Sequence, residues 1–221
     1  MDDLAASAEL TTNADVMLLR SRPSLRIVVG GWSASGKTIF ARYLADLLQC
    51  EYVSASSRLV SALMLDNVNW IRDRDSLKRL RSPEVERQVD RDLTARLSGT
   101  SRIVLDSWTG AFLSKSHDAA VWIECDLDVR AQNAMGPDCL AAENPHKFRA
   151  IRSGLAQKDR DSVEIFRDLY GFSYDPTSEA FPINIDITKL ISPYREHWWH
   201  ERHSVLFLIA TKISQHLAEQ I

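Results

Sequence analysis

The 221-residue sequence predicts an α/β fold, a parallel sheet wrapped by helices on both faces. Three observations predict it. Short β-branched runs alternate with longer helical stretches. The first run, Leu25-Arg26-Ile27-Val28-Val29, stops abruptly at Gly30-Gly31. A helix with one apolar face opens immediately after that glycine turn.

Residues 1 to 23 mix short polar and apolar pieces and end on Ser21-Arg22-Pro23, which reads as a weak helix or loose arm before the first strand. After the glycine turn, Phe40, Ala41, Leu44, Leu47 and Leu48 recur at helical spacing and face the sheet, leaving Arg42, Asp46 and Gln49 toward water. Tyr52-Val53-Ser54 is the second strand. A charge-rich helical stretch follows from Ser57 to about Leu97, and Ser82-Pro83-Glu84 is a good helix entry within it. Val85, Val89, Leu93 and Leu97 form its apolar stripe. Ile103-Val104-Leu105-Asp106 is the third strand, Ala120-Val121-Trp122-Ile123-Glu124 the fourth and Ile183-Asn184-Ile185-Asp186-Ile187 the fifth. Between the last two lie helices near Val129 to Met135 and from Pro145 to Tyr170, the latter expected to break at Gly154.

The size and the 45% hydrophobic content suit one domain with lobes. A net charge of −3 gives no general pull toward nucleic acid or anionic membrane, so neither is expected as a partner. Cys50, Cys125 and Cys139 are an odd, scattered set, which argues for free thiols in a reducing, cytoplasmic compartment. No apolar run suits a membrane span, and the acidic start Met1-Asp2-Asp3-Leu4 does not resemble a signal peptide. His197-Trp198-Trp199-His200-Glu201-Arg202-His203 superficially suggests metal, but its His-Glu-x-His spacing is one residue short of the zinc-protease pattern. A packed terminal helix is the expectation there.

Gly31-Trp32-Ser33-Ala34-Ser35-Gly36-Lys37-Thr38 carries the chemistry. Successive backbone N–H groups in such a loop form a nest for phosphate oxygens at a helix N-terminus, and side chains on the glycines would obstruct it. The expected phosphate-binding set is Gly31, Ser33, Ala34, Ser35, Gly36, Lys37 and Thr38. Lys37 reaches β- and γ-phosphates, and the Thr38 hydroxyl is the expected Mg²⁺ ligand, which makes ATP and Mg²⁺ the expected cofactors. Asp106 ends a strand beside this loop, where a carboxylate can organise Mg²⁺ water or accept a proton.

The loop, followed by Tyr52-Val53-Ser54-Ala55, Ser82-Pro83-Glu84-Val85-Glu86-Arg87-Gln88-Val89-Asp90 and Ile103-Val104-Leu105-Asp106, resembles the cytidylate kinases, particularly their archaeal-type branch. Asp128-Val129-Arg130-Ala131, Phe166-Arg167-Asp168-Leu169-Tyr170-Gly171-Phe172 and Ile185-Asp186-Ile187-Thr188-Lys189-Leu190 continue that order, so the likeness spans about residues 25 to 215. It implies a five-stranded P-loop kinase domain over 24–221, a helical acceptor lobe at about 57–98 and a basic lid at about 134–165. It implies γ-phosphoryl transfer from ATP to a nucleoside monophosphate, usually CMP or dCMP, by a monomer or dimer.

The pattern is broken in three places. No arginine follows the third strand, which runs on as Ser107-Trp108-Thr109-Gly110, and Asn133 and Ile165 stand where the family carries arginines. Arg72, Arg74, Lys78, Arg79 and Arg81 crowd the acceptor lobe, and Arg149, Arg152, Lys158 and Arg160 crowd the lid. Arg160 joins Lys37 and Asp106 in the expected catalytic set. Ser54, Arg58, Arg74 and Trp108 are the expected acceptor-binding residues, with Trp70 a second aromatic that could stack on a base. The missing arginine also fits an uncharged hydroxyl acceptor, such as a nucleoside, with Asp106 as base. A non-catalytic nucleotide-binding module is the third reading, which the acceptor-lobe and lid segments disfavour.

Overall fold

The computed structural model describes residues 12–220, apart from 67, 70, 71, 137, 138, 173, 176 and 192–197. Five strands, β1 (Leu25–Gly31), β2 (Glu51–Ser54), β3 (Arg102–Asp106), β4 (Ala119–Glu124) and β5 (Ile183–Asp186), form one sheet in the order β2-β3-β1-β4-β5. Every neighbouring pair is parallel. Parallel strands need crossovers, and helices supply them.

Alternation along the strands separates two cores. Ile27, Val29, Val121 and Ile123 face one layer with α1 (Ala14–Ser21), α2 (Lys37–Leu48) and α9 (Trp198–Ala218). Val28, Leu105, Ala120 and Trp122 face the other, with α3 (Ala55–Ala62), α5 (Pro83–Gly99) and α8 (Pro145–Tyr170). Shorter helices α4 (Arg74–Leu80), α6 (Gly110–Leu113) and α7 (Leu127–Met135) complete the order. Burying the α5 stripe of Val89, Leu93 and Leu97 contributes about 1.5–3 kcal/mol for each side chain.

Residues ahead of β1 include a helix held in the core. Asn13 caps α1 through bonds from the Asp15 and Val16 amides, and Val16 and Leu19 are buried. Arg102 at the start of β3 donates to the carbonyls of Leu19, Arg22 and Leu48, tying α1 to the end of α2.

The helix entry expected at Ser82-Pro83-Glu84 is found, and one helix expectation needs correction. The stretch from Ser57 to Leu97 is three helices, α3, α4 and α5, because Pro83 excludes helical geometry at Ser82 and Met64 adopts a left-handed φ of 53°. Gly154 does not break α8, which runs unbroken for 26 residues. A lone helical glycine costs only about 1 kcal/mol, and the buried Leu155 and Phe166 hold the helix in place.

Candidate active site

β1 delivers the chain into the loop from the centre of the sheet. A Cβ on Gly31 would sit 2.7 Å from Ser35 Oγ and 2.8 Å from the Ile123 carbonyl, so the close approach admits only glycine. Gly36 has φ +86° and serves as the N-cap of α2 without a side-chain cap, so backbone amides of the first turn face the loop. Ala34 also adopts the left-handed region, at φ 62°, a cost of about 1 kcal/mol for a residue with a Cβ. The buried hydroxyls of Ser33 and Ser35 make no hydrogen bond among the described residues. Orphaned polar atoms beside open amides fit a bound anion.

β3 lies next to β1 in register, pairing Val29 with Asp106, so the Asp106 carboxylate emerges beside the loop. Asp106 is 2% exposed. Thr38 Oγ1 donates to its Oδ2 at 2.6 Å, the Tyr52 hydroxyl donates to the same oxygen at 3.3 Å, and Lys37 Nζ lies 3.6 Å from Oδ1. Burial, then the Asp106 charge, pushes the Tyr52 phenol above its usual pKa. The adjacent hydroxyl and carboxylate oxygens are the hard donors that Mg²⁺ takes. No cluster of three or more His, Cys, Asp or Glu with metal-holding geometry occurs among the described residues.

The far side of the loop is fixed by residues that the motif does not contain. Asp159 of α8 accepts the Ser33 amide at 3.1 Å, while Arg130 of α7 donates to Asp159 Oδ2 at 2.7 Å, to the Ser33 carbonyl at 2.9 Å and to the Cys125 carbonyl at 3.0 Å. Both charged groups are buried. Trp32 and Trp122 each donate their indole N–H to Glu124 Oε2, at 3.1 and 3.0 Å. Arg130, Asp159 and Glu124 are therefore the loop's supports.

Comparison with known proteins decides among the uses of such a loop. No protein-family profile matches the chain. It is 26% identical over 157 residues to the cytidylate kinase of Haloarcula marismortui, covering 69% of this chain and 76% of that one. It is 24% identical over 172 residues to the cytidylate kinase of Pyrobaculum neutrophilum, covering 72% and 90%. The chain is similar to these archaeal cytidylate kinases. Its fold superposes on shikimate kinase from Bacteroides thetaiotaomicron with a TM-score of 0.52 at 12% identity, over 85% of this chain and 96% of that one. An uncharacterised protein from Eubacterium ventriosum superposes at 0.54 with 13% identity, over 87% and 99%. No helix among the described residues of the kinase is long and apolar enough to cross a membrane.

A cleft opens from Lys37 and Asp106 between α3, α5, α8 and the exit of β3. Asp90 is buried in its wall, accepting the Thr109 hydroxyl at 2.8 Å and the Tyr170 hydroxyl at 2.5 Å. Burial raises the Asp90 pKa against the lowering effect of those two donors. Glu86 pairs with Arg81 in the same wall. Lys158 of α8 also faces the cleft, and burial, reinforced by the nearby Lys37, draws its pKa down to about 7. Lys78 on α4 reaches Asp161 on α8 at 2.9 Å, so the segment before α5 touches the long helix across the cleft.

The acceptor-side expectations are distributed unevenly. Trp108 lines the cleft while stacking on Tyr174 at 5.3 Å between ring centroids. Ser54 caps α3 through the Ser57 amide, and Arg58 is exposed and does not line the cleft. The side chain of Arg74, the Trp70 stacking candidate and His197 lie outside the described residues, as do the side chains of Trp198 to His200. Arg160 is not brought to the site. It is exposed, donates to Gln157 at 2.6 Å and lines an outer groove with Trp32 and Arg167. Lys158 is the α8 cation that turns inward, since two residues along a helix rotate a side chain by about 200°. Lys158 stood in the sequence among the lid cations, whereas the Asp159 position carries no local signal, because its role depends on partners distant in sequence.

Proposed function

We propose that the kinase moves the γ-phosphoryl group of ATP to a nucleoside monophosphate, CMP- or dCMP-like or a modified relative. The observation that carries the reading is the convergence of Lys37, Thr38 and Asp106 at the mouth of a cleft walled by α3, α5 and α8. The cytidylate kinase relatives support the choice of acceptor class.

The loop amides and Lys37 would bind and orient the phosphates, and Lys158 would add charge from the opposite wall. Thr38 and Asp106 would hold Mg²⁺, which when bound neutralises phosphate charge. Trp108 and the apolar wall of Leu59, Val89 and Phe166 would position the acceptor and exclude water, which otherwise competes for the phosphoryl group. A monophosphate oxygen is already anionic, so no base is required.

A second reading, transfer to an uncharged hydroxyl, draws on the β3 exit. Ser107 Oγ there accepts the Thr109 and Gly110 amides, and Thr109 is committed to Asp90, so this turn offers no cation to an acceptor phosphate. Asp106 would then take the acceptor's proton. Acceptor-dependent ADP formation, screened across nucleoside monophosphates, nucleosides and small alcohols, tests both. Turnover with CMP or dCMP supports the first reading, and turnover only with uncharged acceptors replaces it with the second.

A further inference from the structure

A second cavity, of about 260 Å³, shares only Lys37 with the acceptor cleft among the described residues. Besides the phosphate loop and the first turn of α2, its walls are Ile39 and Phe40, Asn133 and Ala134 at the end of α7, Ile191, and Arg202 of α9. No carboxylate lines it among the described residues.

Lys37 and the open amides of α2 account for the phosphate end of a donor nucleotide, and Ala34, Ser35, Gly36, Lys37 and Thr38 all line the second cavity, whereas of these five only Lys37 lines the acceptor cleft. The second cavity offers apolar faces, a planar guanidinium and one neutral amide, which together suit a flat heterocycle: faces for stacking and Asn133 for an edge. The guanidinium is set into the wall, with Nε and Nη1 buried, and that burial pulls its pKa down to about 10, so it remains charged at neutral pH. We infer that Arg202 is the platform on which the base of the donor nucleotide stacks, with Asn133 reading its edge. This rests on the ATP-donor reading above. It makes the C-terminal helix part of the donor site, through a residue far from the phosphate loop in sequence.

The test is isothermal titration of ATP and of inorganic tripolyphosphate against the parent, Arg202→Met and Arg202→Lys, with thermal unfolding recorded for each. A stacked guanidinium predicts that Arg202→Met weakens ATP by about tenfold and leaves tripolyphosphate unchanged, with Arg202→Lys in between. If Arg202→Met does not fold, Arg202→Lys carries the same comparison. Equal ATP binding by parent and variants overturns the platform alone. Equal loss of ATP and tripolyphosphate also overturns it, in favour of a phosphate contact. A parent that binds neither ligand overturns the donor reading and this inference together.

Discussion

The Asp159 carboxylate of α8 accepts the Ser33 amide of the phosphate loop at 3.1 Å, and Arg130 binds both residues from α7. The loop's outer edge is thus welded to the middle of the long helix.

Removing Asp159 should therefore damage stability and phosphate binding at once. Asp159→Ala strands the buried Arg130 guanidinium, a loss of about 3–5 kcal/mol. Urea unfolding should show that loss, with a matching fall in ATP affinity. Replacing both partners, as in Arg130→Met with Asp159→Leu, should cost much less than the two single changes summed. An additive result would show that the pair is not energetically coupled.

Lys37→Ala should abolish transfer while sparing the fold. The ammonium acts on phosphate charge, and Asp106 retains hydrogen bonds from Thr38 and Tyr52 after its loss. A fall in kcat of at least about 10²-fold is expected, from losing a preorganised charge at the transferring group. Circular dichroism should overlay the parent. A folded variant of near-normal activity would remove Lys37 from the reaction.

Asp106→Asn separates the two acceptor readings. With a monophosphate acceptor, the change should act through Mg²⁺ and be partly relieved at high Mg²⁺. With a hydroxyl acceptor, kcat should fall by about 10²- to 10⁴-fold at every metal concentration, since a general base is gone. Measuring kcat at two Mg²⁺ concentrations distinguishes these outcomes. A variant equal to the parent at both would make Asp106 a structural anchor.

Lys158 predicts a pH dependence of stability. Its pKa is about 7 in the folded protein against an ordinary 10.5, so between those values the unfolded chain holds more protons than the native one. Its burial cost is fully present below about pH 7 and is relieved as pH rises toward about 10.5. Lys158→Met should remove this contribution, so its Tm advantage over the parent should be larger at about pH 6.5 than at about pH 9.5. A pH-independent difference would mean that Lys158 titrates normally. Phosphate binding should raise the same pKa, with proton uptake near pH 8 that titration in buffers of different ionisation enthalpy would detect.

Sheet and loop were legible in the sequence because each has a local cause. β-branched runs mark the strands, Gly31 and Gly36 mark close approach and a left-handed turn, and Ser82-Pro83 marks the start of α5. The supports of the loop were not legible. Arg130 stands in the Asp128-Val129-Arg130-Ala131 segment, but nothing local pairs it with Asp159, 29 residues on, until α7 and α8 are laid side by side. Arg160 was attractive by composition alone, and helical rotation gives the inward position to Lys158. Gly154 misled for a related reason, since tertiary packing outweighed its local preference.

Trp32 stands inside the phosphate loop, edge-on to Trp108 and Trp122 at 5.3 Å from each ring centroid. Trp108 lines the cleft beside Lys37, and Trp122 belongs to β4 of the sheet. Three indoles at such spacing exchange excitation, so displacement of the loop by even an ångström alters their shared absorption and emission. The fold thus contains its own optical gauge of loop position, readable in near-ultraviolet circular dichroism or tryptophan fluorescence without any added dye.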